Sequence, residues 1–171
     1  MSGTYEPKIL LDCDVVIHFI KGQKIMELPA IFPGRFVMLD KVYEELMKRS
    51  GNFLAIGIFL KTSGIPIIQM PGDETIVREY FALKRVMDSG ESACLAVARH
   101  KKEYVASSNI TQIADYCRTH GIVYYTTMDL LVEAVAKGIM TELEADQFIQ
   151  EVISRGSRLP NILIRNYKKN P

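Results

Sequence analysis

The sequence predicts an α/β fold, a three-layer sandwich in which a parallel sheet of four or five strands lies between layers of helices. Three observations lead there. Ile9, Leu10 and Leu11 form a wholly apolar run that ends in Asp12, and a strand apolar at every position is the habit of a parallel sheet covered on both faces. Strand-like and helix-like patterns then alternate with short connections, which implies right-handed crossovers and a mainly parallel sheet. The 171 residues, 48% hydrophobic and 24% charged, suffice for one compact domain with a sizeable core, spanning 1–171 with a helical extension from about 139.

After the first strand, residues 14–20 read as a short helix ended near Gly22, and the two prolines in 29–34 mark a connecting loop. Phe36 to Leu39 is a second strand. Asp40 can cap a helix whose apolar stripe is Val42, Tyr43, Leu46 and Met47, with Glu45 off the stripe. Residues 52–61 form a strongly apolar helical candidate, 65–70 a third strand and 74–87 a helix broken at Asp88, Ser89 and Gly90. The next helix covers 91–100. A fourth strand at 104–107, a helix at 110–119 and a fifth strand at 122–125 follow. Helices at 128–137 and 142–154 close the pattern, the second opened by the capping box Thr141 to Glu144, before a polar, basic tail with Arg158, Arg165, Lys168 and Lys169.

A net charge of +1 gives no global argument for a polyanionic partner, so nucleic acid must be argued from a local site. The first twenty residues carry acids inside their apolar run and lack a small-residue cleavage signature. Neither a signal peptide nor a membrane span is expected, and the expected location is cytoplasmic. Cys13, Cys94 and Cys117 are odd in number and have no CxxC spacing, so they read as core thiols rather than a disulfide framework or zinc site. His18, His100 and His120 show no spacing that suggests a metal or a triad. Arg99, His100, Lys101 and Lys102 suit a helix C-terminus.

Chemistry is expected at the acids. Asp12 ends the first strand, where ligands bind in open α/β sheets. Glu45 and Glu91, far from it in sequence, are each expected to face the same carboxyl edge. Two unpaired carboxylates ~4 Å apart repel by roughly 4 kcal/mol at an effective dielectric near 20, so convergent acids call for a cation. Oxygen ligands without His or Cys point to Mg²⁺ or Mn²⁺, which can acidify a bound water and neutralise a phosphodiester oxyanion. Blander roles stand beside these. Asp12 or Asp14 could simply cap the first helix, Glu45 could be an exposed helix charge, and Glu91 could complement a helix dipole. Ser107 lacks an accompanying His and acid, which favours a hydrogen-bonding role over a nucleophilic one.

Two families place an acid in this way. Asp12-Cys13-Asp14-Val15-Val16 resembles the opening signature of haloacid-dehalogenase-type phosphatases, and Val105-Ala106-Ser107-Ser108 resembles their second motif. Their late pair of acids past an apolar strand has no counterpart. The PIN domain, the nuclease fold of VapC-type toxins, resembles the chain from end to end. Its first motif is similar to Ile9-Leu10-Leu11-Asp12-Cys13-Asp14-Val15-Val16-Ile17, its second to Val42-Tyr43-Glu44-Glu45-Leu46, its third to Ser89-Gly90-Glu91-Ser92-Ala93 and its fourth to Ala106-Ser107-Ser108-Asn109. At the fourth, Asn109 stands where many members carry a carboxylate; its amide can still offer a carbonyl oxygen.

The PIN resemblance implies a metal-dependent ribonuclease in which Asp12, Glu45 and Glu91 hold the ion directly or through water. Asn109 and Ser107 would complete the polar edge, with Asp14 a reserve ligand. It further implies RNA as substrate, a homodimer, and a cognate antitoxin protein covering the acidic groove. A PIN-fold module that only binds RNA or protein is the alternative, and a phosphatase acting through Asp12 is a third. The apolar helix near 52–60 has Phe53, Leu54, Ile56, Ile58, Phe59 and Leu60 on more than one face, so part of it is expected in a partner contact.

Overall fold

The computed structural model describes residues 5–49, 51 and 53–169. Its sheet has five strands, all parallel, in the order β3-β2-β1-β4-β5: β1 (Ile9–Leu11), β2 (Phe36–Leu39), β3 (Ile67–Ile68), β4 (Tyr104–Ala106) and β5 (Tyr124–Tyr125). The apolar run that opens the chain is the central strand, with Ile9 paired to Phe36 on one side and Tyr104 on the other. All three residues of β1 are buried, as a strand covered on both faces requires.

Helices cover both faces: α1 (Cys13–Lys21), α2 (Leu28–Ile31), α3 (Asp40–Arg49), α4 (Phe53–Ser63), α5 (Glu74–Leu83), α6 (Ser89–Lys101), α7 (Ile110–His120), α8 (Thr127–Ala136) and α9 (Glu142–Ser154). Gly90, Glu91, Ser92 and the six residues that follow are all buried in α6, which packs on β1, β2 and β4 and touches α3, α5 and α7. Its small side chains let the neighbouring elements approach closely. A second contiguous group is formed by α1, α2, α8 and α9, with α8 against β5. No helix among the described residues is long and apolar enough to cross a membrane.

Several elements differ from expectation for local reasons. The third strand contracts from 65–70 to Ile67–Ile68, both exposed at the sheet edge, because Pro66 has no N–H for the ladder. The helix expected to reach residue 87 ends at Leu83, and the N–H groups of Val86 and Met87 turn back onto the Leu83 carbonyl. Within the loop expected at 29–34, Leu28–Ile31 is helical, with a proline in its first turn where the missing N–H costs nothing. Asp40 opens α3 but accepts from the Met70 N–H at 2.9 Å, tying down the chain after β3. The apolar helix at 52–61 is observed as α4; Asn52 lies outside the described residues. All three cysteines are free and buried.

Beyond α9 the chain folds back as a strap. Gly156 adopts φ +81°, a turn that disfavours side chains, and Ser157 and Arg158 return toward α1. Further on, the Ile164 N–H donates to Asp146 at 2.7 Å and the Tyr167 hydroxyl to Asp129 at 3.1 Å, so the strap is anchored on α9 and α8.

Candidate active site

Two ladder bonds set the front of the site. The Asp12 N–H donates to the Ala106 carbonyl and the Ser107 N–H to the Tyr125 carbonyl, at 2.9 and 3.0 Å, each carrying a strand pairing one residue past its end. Asp12 and Ser107 therefore stand side by side at the carboxyl edge. Ser107 Oγ donates to Asp12 Oδ2 at 3.1 Å. Asp12 occupies the N-cap position of α1, yet its side chain makes no capping hydrogen bond. Simple capping does not account for it. It is 4% exposed.

The other two acids come from the crossing of α3 and α6. The helix expected from residue 91 begins at Ser89, which puts Gly90 and Glu91 inside its first turn. Glu45 Oε2 accepts from the Gly90 N–H at 2.9 Å, and its other oxygen takes Arg49 Nη1 at 2.8 Å. A Cβ on Gly90 would lie 3.0 Å from Glu45 Oε2 and 3.2 Å from the Val42 Cα. Since Val42 contributes backbone, the contact cannot be relieved by a rotamer change alone. Gly90→Ala is expected to destabilise by about 1–3 kcal/mol through overpacking, read as a lower midpoint in urea unfolding. An unchanged midpoint would show that the helices can separate freely.

Glu91 is 3% exposed, and its Oε1 has no hydrogen-bond partner among the described residues. Its other oxygen accepts weakly from Asn109 Nδ2 at 3.4 Å. Beside that carboxylate the Asn109 amide presents its N–H side, not the carbonyl expected to face an ion, and the same group donates to Gln112. Asp14 pairs with Arg49 Nη2 at 3.1 Å. Arg49 thus bridges Asp14 and Glu45, serving as the cation of the front half of the site.

The buried acids feel this arrangement directly. Burial first, then the charges of Asp14 and Glu45, push the Asp12 carboxyl up to about 7 against the opposing Cys13 N–H and Ser107 hydroxyl. Glu91 is pushed up to about 8, by burial first and then by Asp12, Asp14 and Asp88. Burial and the Asp12 charge also raise the Cys13 and Cys94 thiols well above their ordinary range. Neither thiol is a thiolate nucleophile. Among the described residues no group of three or more His, Cys, Asp and Glu side chains is close enough to hold one ion, and Glu45 is occupied by Arg49 and Gly90.

Comparison with known families decides between the two resemblances, because the family model described as a PIN domain matches residues 8–170. The chain belongs to the PIN-domain family. No curated protein matches it. The match runs from the residue before β1 through the strap, so all four acidic-motif regions and the C-terminal segment lie inside it. A PIN domain is a nuclease-type fold, and the phosphatase resemblance loses its basis.

The groups that balance these acids were missed in the sequence. Arg49 stands four residues after Glu45, an i, i+4 pairing that was legible. His18 and Thr127 were not. His18 Nδ1 lies 2.9 Å from Thr127 Oγ1, which in turn contacts Ser108 Oγ, joining α1, α8 and the end of β4. Burial above all lowers the His18 imidazole to about 4, so it is neutral at pH 7.

Proposed function

We propose that this PIN domain is a Mg²⁺- or Mn²⁺-dependent endoribonuclease of the VapC toxin type, hydrolysing RNA phosphodiesters. One observation carries the reading: two carboxylates, Asp12 and Glu91, are buried at the carboxyl edge of the central strand, and a Glu91 oxygen has no partner among the described residues. Burying an unsatisfied polar atom costs about 1–3 kcal/mol, more for a charged group, and a hard cation removes that cost. Mg²⁺ is commonly held by one or two carboxylates with water completing its shell, so Asp12 and Glu91 fit it without a ready-made cage. Glu45 and Asp14 would contribute through water or after release from Arg49.

Bound at this edge, the ion supplies an acidified water and neutralises charge on the phosphodiester. The protein's own groups do the rest. Ser107 fixes the Asp12 carboxylate by donating to Oδ2, and Asn109 holds Glu91 from the solvent side. With a cation present, both acids are ionised. Wild-type protein should cleave a mixed single-stranded RNA pool with Mn²⁺ and stop when EDTA is added. No cleavage under any divalent cation, with no cation-dependent rise in melting temperature, removes the nuclease reading. The alternative, a module that binds RNA or protein without turnover, draws support from the amide at Asn109 and from the engagement of Glu45 by Arg49.

The toxin reading brings a cognate antitoxin, whose peptide would cover the acidic groove, and a homodimer. We assign the dimer contact to α4. Leu54 is 76% exposed, and Phe53 and Ile58 are exposed beside it. From Phe53 to Leu60 the helix carries no charged residue, its one cation Lys61 lies in the last turn, and Gly57 lies open at its middle, so two copies can cross closely there. Light scattering should give a dimer for the wild type and a monomer for Leu54→Glu. A monomeric wild type would remove this contact.

A further inference from the structure

Beside the buried acids lies a cleft of about 490 Å³ that shares Asp14, Arg49 and Asn109 with the acid arrangement and extends beyond it to the C-terminal strap. It is bounded by α1, by the β4–α7 connection and by the C-terminal strap, with Asp14, His18, Arg49, Asn109, Ser157 and Arg158 among its lining residues. Its volume is in the range of small-ligand pockets. Its two guanidiniums are not equivalent. Arg49 is committed to Asp14 and Glu45, whereas Arg158 is exposed and has no hydrogen bond or ion pair among the described residues.

The backbone beneath Arg158 is fixed, although the side chain is free. Lys21 Nζ donates to Ser157 Oγ at 2.8 Å, the Ser157 N–H donates to the Val152 carbonyl, and Gln150 Nε2 donates to Asn161 Oδ1 at 2.8 Å. A cation held on a tethered segment at the lip of a cleft loses little freedom when an anion arrives. Opposite it, the hydroxyl chain of Ser108 and Thr127 fixes the buried His18 ring through Nδ1, and Ile110 adds an exposed apolar wall. A guanidinium, hydrogen-bonding groups and an apolar surface together match one nucleotide: phosphate, sugar edge and base.

We infer that this cleft seats a nucleotide of single-stranded RNA next to the phosphodiester at the acids, with Arg158 of the strap binding its phosphate. The inference rests on the ribonuclease reading for the substrate class, while its own content is the cleft and Arg158. The C-terminal segment is then part of the substrate site, contributed from far outside the four motif regions.

The test is fluorescence anisotropy with a fluorescein-labelled single-stranded RNA in Ca²⁺, run beside Mn²⁺ cleavage kinetics on the same proteins. Arg158→Ala should raise the Kd and the KM about tenfold, leave kcat within about twofold, and lower the slope of log Kd against log salt by about one. Arg158→Lys should recover most of the binding, since a point charge still serves a phosphate. Arg165→Ala, an equal loss of charge further along the strap, should leave Kd, KM and slope unchanged. Equal binding by wild type and Arg158→Ala, or an equal loss in Arg165→Ala, overturns the inference. If wild type cleaves RNA while Arg158→Ala is indistinguishable from it, the cleft assignment falls and the nuclease stands. If no cleavage occurs while RNA binding still depends on Arg158, the nuclease falls and the cleft stands.

Discussion

Asp12→Asn is expected to abolish Mn²⁺-dependent RNA cleavage, by at least about a thousandfold, while making the cation-free protein more stable. The rate loss follows from charge. An amide of the same shape keeps the hydrogen bond with Ser107 but removes half of the buried negative charge that Asp12 and Glu91 offer an ion. Stabilisation of transition-state charge by a metal amounts to several kcal/mol, and about 4 kcal/mol is a thousandfold in rate. The stability gain follows from burial, because the ionised Asp12 carboxylate is held where desolvation and two neighbouring acids oppose its charge. Wild type at 100 times its dissociation constant for the cation should gain about 2.7 kcal/mol, and Asp12→Asn should gain nothing. Glu91→Gln should behave alike in both assays. A variant that still cleaves, or that still gains stability from Mn²⁺, places the ion elsewhere. A variant less stable than wild type without cation makes Asp12 a structural acid.

How far the sequence could be read depended on what each residue type must do locally. Ile9, Leu10 and Leu11 had no polar face, so only a strand covered on both sides suited them, and the central position of β1 followed. Asp12 and Ser107 were legible for the same reason: each is the first polar residue after a buried strand, and one more ladder bond carries each to the carboxyl edge. Gly90 read only as part of a break before the next helix, and its close approach to Val42 and Glu45 appears only where α3 and α6 cross. What could not be read was the balance of charge. The i, i+4 spacing of Glu45 and Arg49 was on the page, but that Glu91 keeps an oxygen with no partner among the described residues is set by how α3 and α6 cross. Arg158 was invisible for a related reason. Its place depends on the turn at Gly156 and on anchors at Asp146 and Asp129, contacts that no local pattern encodes. The Ser108, Thr127 and His18 chain likewise joins three segments that are adjacent only once the sheet is built.

In EDTA the protein should lose stability steadily as pH rises from about 5 to about 8, and Mg²⁺ should cancel that loss. Asp12 and Glu91 titrate near 7 and 8 in the folded chain, above the 3.8 and 4.5 that unperturbed groups show. Between those limits the native state holds protons that the unfolded chain has released, so stability falls with pH, by about 1.4 kcal/mol per unit for each proton held. Below about pH 4 both states are protonated and the penalty is absent; above about pH 8 it is present in full. A cation binds only the ionised pair and must displace those protons, so its apparent affinity should climb through the same window. Urea unfolding at pH 5.5, 7 and 8.5 would read this as two curves, with EDTA and with Mg²⁺, that nearly coincide at the lowest pH and separate toward the highest. Asp12→Asn should flatten the EDTA curve, since one of the two protons no longer exists to be lost, and should keep the two curves together. A wild type whose EDTA curve rises with pH would mean that Asp12 and Glu91 are ionised and already compensated by the protein, and the case for a cation between them would be gone.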